Sequence, residues 1–164
     1  MKFMEPMKNK RERRRLVGKL LFILYVAFLI YFLLFSDWYG RSPHLQYRYN
    51  LVPLKEIKRF WEYREVMGMY AVLTNLVGNI LIFIPFGFFL PMGSAKKSFA
   101  VTTLLSFFLS LGIETFQLLT KIGSFDVDDL LLNTLGGIVG YLLYRVLSYI
   151  RRRMYEKETK AGKN

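Results

Sequence analysis

The sequence predicts an all-α integral membrane protein with four transmembrane helices and a polar layer near one membrane face. Three observations support this. The chain has 164 residues, 53% hydrophobic and 17% aromatic, yet a formal net charge of +12, so long apolar blocks must alternate with basic ones. Four stretches are long and apolar enough to cross a hydrocarbon core about 30 Å thick. The cations also cluster: residues 1–15, 91–97 and 151–164 hold seven, two and six of the 24 lysines and arginines. A basic nucleic-acid-binding domain spreads its cations over one soluble face instead, so nucleic acid is not an expected partner.

The basic segment 1–15 leads into a first span at 16–36, "LVGKLLFILYVAFLIYFLLFS", whose single charge, Lys19, can snorkel to the headgroups. This span is too long for a signal-peptide core and lacks a small-residue cleavage site, so it reads as a retained anchor. Segment 37–70 follows, with "YRYNLVPLKEIKRFWEY" at 47–63. There Leu51, Leu54, Ile57 and Trp61 recur at helical spacing. They predict an extracytoplasmic amphipathic helix, anchored by Trp38, Tyr39 and Trp61, that roofs whatever lies beneath. His44 reads as an exposed loop residue.

The second span, 71–90, carries Asn75 and Asn79 and is expected to break locally at Pro85, beside Gly87, and to stop at Pro91. The third, 98–120, is apolar except for Glu114 and Gln117 among hydroxyls. The fourth, 127–149, opens on Asp126, Asp128 and Asp129, continues through Asn133 and ends near Arg145. A basic tail, 150–164, closes the chain. The apolar core of the protein is therefore 16–149.

The three basic clusters fall on one side of such a bundle. Short loops rich in lysine and arginine stay cytoplasmic, so both termini are predicted inside. Segment 37–70 is then outside, although it holds six basic residues against four acids. In this frame Asn75 and Asn79 lie roughly 6 and 12 Å below the outer surface, Glu114 and Gln117 roughly 9 and 5 Å, and Asn133 roughly 9 Å, with the aspartates at the rim. Within each helix these residues are three or four apart and share a face. A lipid-facing carboxylate at such depth is expensive, the cost at the bilayer centre being roughly 2.5–3.5 kcal/mol even on lenient scales, so Glu114 should face partners or water. The expectation is a polar pocket open to the extracytoplasmic side. "TNLVGNIL" (74–81) and "LNTLGGIV" (132–139) also share Asn-x-x-Gly, which allows two repeated hairpins, with Gly78, Gly136, Gly137 and Gly140 permitting close packing of spans two and four.

Plainer roles compete at each position. Asp126 suits a helix N-cap, with Asp128 and Asp129 in the favourable first turn. The amides can be interhelical glue. The chain has no cysteine and one histidine, which excludes thiolate and multi-histidine metal sites, so any metal would be a hard divalent cation such as Mg²⁺ or Ca²⁺ on the acidic cluster. No G-x-S-x-G, H-E-x-x-H or Walker loop occurs, and "DVDD" matches acidic metal motifs too easily by chance. Glu114, Asp126 and Asp129 are the candidate catalytic groups. Arg48 joins the candidate binding set of Asn75, Asn79, Glu114, Gln117, Asp126, Asp128, Asp129 and Asn133, with Lys55, Lys58 and Arg59 as further cations above the acids.

Four ordered motifs, "NLVP" (50–53), "NLVGNILIFIPFGFFLP" (75–91), "SLGIETFQLL" (110–119) and "FDVDDLLLNTLGGIVGY" (125–141), resemble the VanZ-like membrane proteins. The name-giving members of that family are associated with teicoplanin resistance in bacteria. The resemblance covers roughly 45–145. It implies a bacterial cytoplasmic membrane protein that lowers susceptibility to teicoplanin-type glycopeptides, with membrane lipids and cell-wall precursors or glycopeptide-pathway components as partners. Many relatives carry an arginine shortly before the Phe-Asp pair. Gly123 stands there in this chain, so Lys121 or Arg48 must supply any matching cation. Two functional classes remain open: a non-enzymatic binder of a headgroup, precursor or protein partner, and an intramembrane enzyme acting on an outer-leaflet or lipid-linked substrate. The topology makes the first prediction: a reporter fused near residue 122 reads as extracytoplasmic, and a cytoplasmic reading reverses the frame.

Overall fold

In hydrocarbon every backbone N–H and C=O must be satisfied within the chain, and helices do so segment by segment. The structure, a computed structural model described over residues 5–35, 46–94 and 98–161, is built accordingly. Its elements are α1 (Glu5–Phe35), β1 (Tyr49–Asn50), α2 (Lys55–Glu62), α3 (Arg64–Met67), α4 (Met69–Gly93), α5 (Phe99–Thr120), β2 (Phe125–Asp126) and α6 (Val127–Ala161). Four helices are long and apolar enough to cross a membrane, through Glu12–Phe32, Met69–Gly93, Phe99–Thr120 and Val127–Glu156. The protein is thus an all-α membrane protein. Trp38, Tyr39, His44 and the loop lysines at 96 and 97 lie outside the described residues.

Three local features differ from expectation. α4 runs unbroken through both Pro85 and Pro91 to Gly93. A proline removes one backbone bond, here the one to the Leu81 carbonyl, and packed neighbours keep a membrane helix continuous around it. α6 has 35 residues, so at 1.5 Å per residue it is about 52 Å long and continues well past the hydrocarbon. The chain also contains two short strands. Tyr49 pairs with Phe125 and Asn50 with Asp126, in parallel.

α4 lies at the centre, against α1 on one side and α6 on the other, and α5 packs on α6. α1 meets α4 antiparallel: Phe22 stacks near Phe86, their centroids 5.2 Å apart, and Tyr25 donates a hydrogen bond to the Ile82 carbonyl. Leu29, Phe83 and Ile113 form the buried apolar centre, flanked by Tyr25, Phe32, Ile82 and Leu109.

α4 and α6 run parallel with backbones in contact. A Cβ at Gly136 would strike the Ile80 carbonyl, one at Gly140 the Ile84 carbonyl, and one at Gly87 the Gly137 carbonyl. Gly87 therefore serves packing where a helix break was expected. α5 fits because the face it buries against α6 is small and hydroxylated, with Thr102, Ser106 and Ser110 in succession. Ser106 meets the bare Cα of Gly137. These contacts predict that Gly136→Val and Gly140→Val each lose about 1–3 kcal/mol or more through overpacking, measured by thermal unfolding in detergent. Gly112→Ala, which points into open space, should change little.

Candidate functional site

The stretch at 124–133 folds around its need to satisfy carboxylates at the edge of an apolar bundle. Asp126 caps α6: its Oδ1 accepts the Asp128 amide at 2.8 Å, the N-cap role its sequence position suggests. The same oxygen accepts Asn50 Nδ2 at 3.0 Å, while Asn50 Oδ1 accepts the Val52 amide at 3.2 Å and turns the chain toward α2. Burial pushes the Asp126 carboxyl above its ordinary pKa. The Asp128 amide, the Asn50 amide and Arg59 oppose that shift, and the Asp128 charge adds to it.

Asp128 does something its position in the first turn of α6 did not reveal. The residue is 1% exposed, and its carboxylate accepts the amides of Leu54, Glu56 (2.8 Å) and Ile57 (3.2 Å). Those amides open α2, whose own N-cap residue, Leu54, sits in the left-handed region at φ 65° and supplies no side-chain cap. Asp128 therefore caps α2 from another helix. Asp129 goes elsewhere again, accepting Asn79 Nδ2 from α4.

Glu114, 3% exposed, accepts the Asp126 amide through Oε2 at 3.0 Å and holds β2 against α5. Asn133 is 2% exposed and donates to Ser110 Oγ at 2.9 Å, while its Oδ1 has no hydrogen-bond partner among the described residues. Gln117 is buried beneath Gly123.

The elements enclose a cleft of about 140 Å³ lined by Glu56, Ile57, Arg59 and Phe60 of α2, Asn75 and Leu76 of α4, Ser124 and Asp126 of the loop, and Asp128, Asp129 and Leu132 of α6. Four of the candidate residues thus share the cleft: Asn75, Asp126, Asp128 and Asp129. Asn79, Glu114, Gln117 and Asn133 are not among its lining residues. Asn75 Nδ2 also donates back to the Ala71 carbonyl at 2.8 Å.

Arg48 is not among the residues that line the cleft. Its backbone carbonyl accepts the Phe125 amide at 3.0 Å and its side chain is exposed, while the cation in the cleft is Arg59, paired with Glu56 one turn earlier. The apolar stripe of the roof is likewise rotated. Ile57 and Phe60 face the cleft, whereas Leu51, Leu54 and Trp61 are turned outward, where an interface would receive them. Among the described residues no group of three or more acids and imidazoles is arranged to hold a metal, because each aspartate is directed to a different partner.

The structure is thus a four-helix membrane bundle with an α6 N-terminal carboxylate bonded to a short helix across its end. The chain belongs to the VanZ/LLP1 family, whose model matches residues 22–148. Among characterised sequences it is similar to Protein VanZ of Enterococcus faecium, at 28% identity over 130 residues, covering 79% of this chain and 74% of that protein. No solved structure matches.

The family setting gives meaning to Gly123. A Cβ there would lie 3.2 Å from Gln117 Cβ, so a long side chain at this position requires Gln117 to shift. Lys121 meanwhile lies over the Tyr47 ring, 4.7 Å from its centroid.

Asn50, Arg59 and Ser110 were missing from the candidate set. Asn50 was visible in the "NLVP" motif, Ser110 in the hydroxyl spacing of α5, and Arg59 only as one of several loop cations. Asp128→Ala should release α2 at a cost of about 2 kcal/mol, since it removes the buried acceptor of three half-buried amides. Hydrogen exchange should accelerate first in residues 55–62, with the amides of the long helices little changed.

Proposed function

We propose that this is a multi-pass protein of the bacterial cytoplasmic membrane, both termini cytoplasmic, whose extracytoplasmic cleft under α2 binds the headgroup of an envelope lipid or a lipid-linked wall precursor and thereby lowers susceptibility to teicoplanin-type glycopeptides. The cleft itself is the observation that carries this reading: about 140 Å³, with Arg59 and Glu56 on its roof, Asp126 and Asp129 on its floor, and Ile57, Phe60, Leu76 and Leu132 as apolar walls. Pockets that enclose drug-sized molecules run to roughly 300–1,000 Å³, so this one suits a headgroup-sized fragment rather than a glycopeptide. Protection then works on the target side of the antibiotic. Family membership and the similarity to Protein VanZ support the resistance role. The basic ends of α1 and α6 support the orientation, which puts the cleft on the side where glycopeptides meet their lipid-linked targets.

The alternative is an intramembrane enzyme using Glu114 and the aspartates as base or metal ligands. It has less support, because Glu114 and Asp128 are occupied by backbone amides. The two readings separate in a teicoplanin susceptibility assay at matched protein abundance. For a binder, Arg59→Gln and Asp129→Asn each weaken a charged contact by roughly 1–3 kcal/mol and give partial, graded loss of protection. For an enzyme, Glu114→Gln in a folded protein abolishes it outright. Full protection in all three variants overturns the cleft reading, and a comparison of envelope lipids and wall precursors with and without the protein identifies the ligand class.

A further inference from the structure

At the opposite end of the bundle, α1 is clamped where it leaves the apolar region. A Cβ at Gly18 would lie 2.7 Å from the Gly93 backbone nitrogen, so the first turns of the span are held against the last turn of α4. Arg14, one turn earlier on the same face, is engaged with α6: its Nη2 donates to the Tyr155 hydroxyl at 2.8 Å and its guanidinium lies 5.5 Å from that ring's centroid. Away from these two contacts another face of α1 is turned outward. It forms an open groove of about 260 Å³ lined by Glu12, Arg15, Leu16 and Lys19.

We infer that the Arg15–Leu16–Lys19 face of α1 is a binding site for an anionic phospholipid of the leaflet at that end of the bundle. Arg15 and Lys19 are four residues apart, which sets them one turn apart on the same side, a spacing of about 6 Å that lets a forked guanidinium and an ammonium straddle a single phosphate. The two cations outnumber the one acid of the groove, Glu12. An aliphatic track continues from them into the apolar region: Leu16, Leu20 and Ile23 are 58%, 53% and 62% exposed and recur at four and three residues on that face. A phosphate bearing acyl chains matches both halves of this surface, whereas free phosphate uses only the polar half. The cations of α6 are differently disposed, Arg152 pairing with Glu156 and Arg153 with the Tyr149 hydroxyl. The site does not depend on the cleft at the other end or on which leaflet is cytoplasmic.

Native mass spectrometry of the full-length protein in neutral detergent, titrated with phosphatidylglycerol or phosphatidylcholine, tests this. The expected result is about tenfold tighter binding of phosphatidylglycerol, lost in the Arg15→Gln/Lys19→Gln double variant and retained in Arg152→Gln/Arg153→Gln, which removes the same charge. Inorganic phosphate at the same concentration should not displace the lipid. Circular dichroism verifies that both variants fold, and Lys19→Arg should keep the preference. Equal loss in both double variants, which marks non-specific attraction to positive charge, overturns the proposal, as does retention in the α1 variant or displacement by phosphate.

Discussion

The arrangement of the α2 end of the bundle depends on one buried carboxylate. Asp128 sits at the start of α6 yet bonds to amides 71 to 74 residues earlier in the chain. Without it, α2 has no side-chain cap, and its first amides would face an apolar boundary with few alternative partners. With it, α2 has a fixed position and orientation over the bundle. The neighbouring acids extend the same logic. Asp126 closes on β1 through Asn50, Asp129 on α4 through Asn79, and Glu114 reaches from α5 to the Asp126 amide. Each negative charge is spent on a different contact, and together they tie the segment 124–129 to four other elements, β1, α2, α4 and α5. Such a network is strong where water is scarce, because an unpaired member would be costly.

Beneath that layer the bundle is held by closeness rather than by bulk. Lipid tails are as apolar as leucine, so helices in a membrane gain little by burying leucine and more by bringing backbones together. α4 and α6 do so through Gly87, Gly136 and Gly140, and α5 joins through serines and a threonine. The large aromatic side chains fill the wider gap between α1 and α4. Close packing of α4 and α6 is also what brings Asn79 within reach of Asp129, so the packing of the bundle and the hydrogen bonds beneath α2 are linked.

Much of the fold was legible in the sequence, because hydrocarbon imposes length and composition on each span and leaves a readable record. The proximity of the acids to amides from other spans was legible as well, since depth follows from counting residues. The pairings were not. Asp128 and Asp129 are adjacent in sequence and equally suited to a helix N-terminus, and only the tertiary position of α2 and α4 assigns them different partners. Arg48 and Arg59 were equivalent as loop cations. Backbone pairing at 49–50 turned the first outward, and the capped start of α2 turned the second in. Pro85 was misread because propensity scales describe helices in water, where no neighbour compensates for the missing bond.

The unbroken course of α6 has a mechanical consequence. One rigid rod carries Asp129 in the cleft wall and Tyr155 in the contact with Arg14, about 39 Å apart at 1.5 Å per residue. It bears on α4 at Gly136 and Gly140, with Phe88 packed edge-on against Tyr144. Gly137 lies about 27 Å along the helix from Tyr155. A tilt of about 5° there shifts the Tyr155 end by roughly 2 Å, enough to break a 2.8 Å hydrogen bond. The Asp129 wall of the cleft and the Arg14 contact with Tyr155 are thus joined through a single piece of secondary structure.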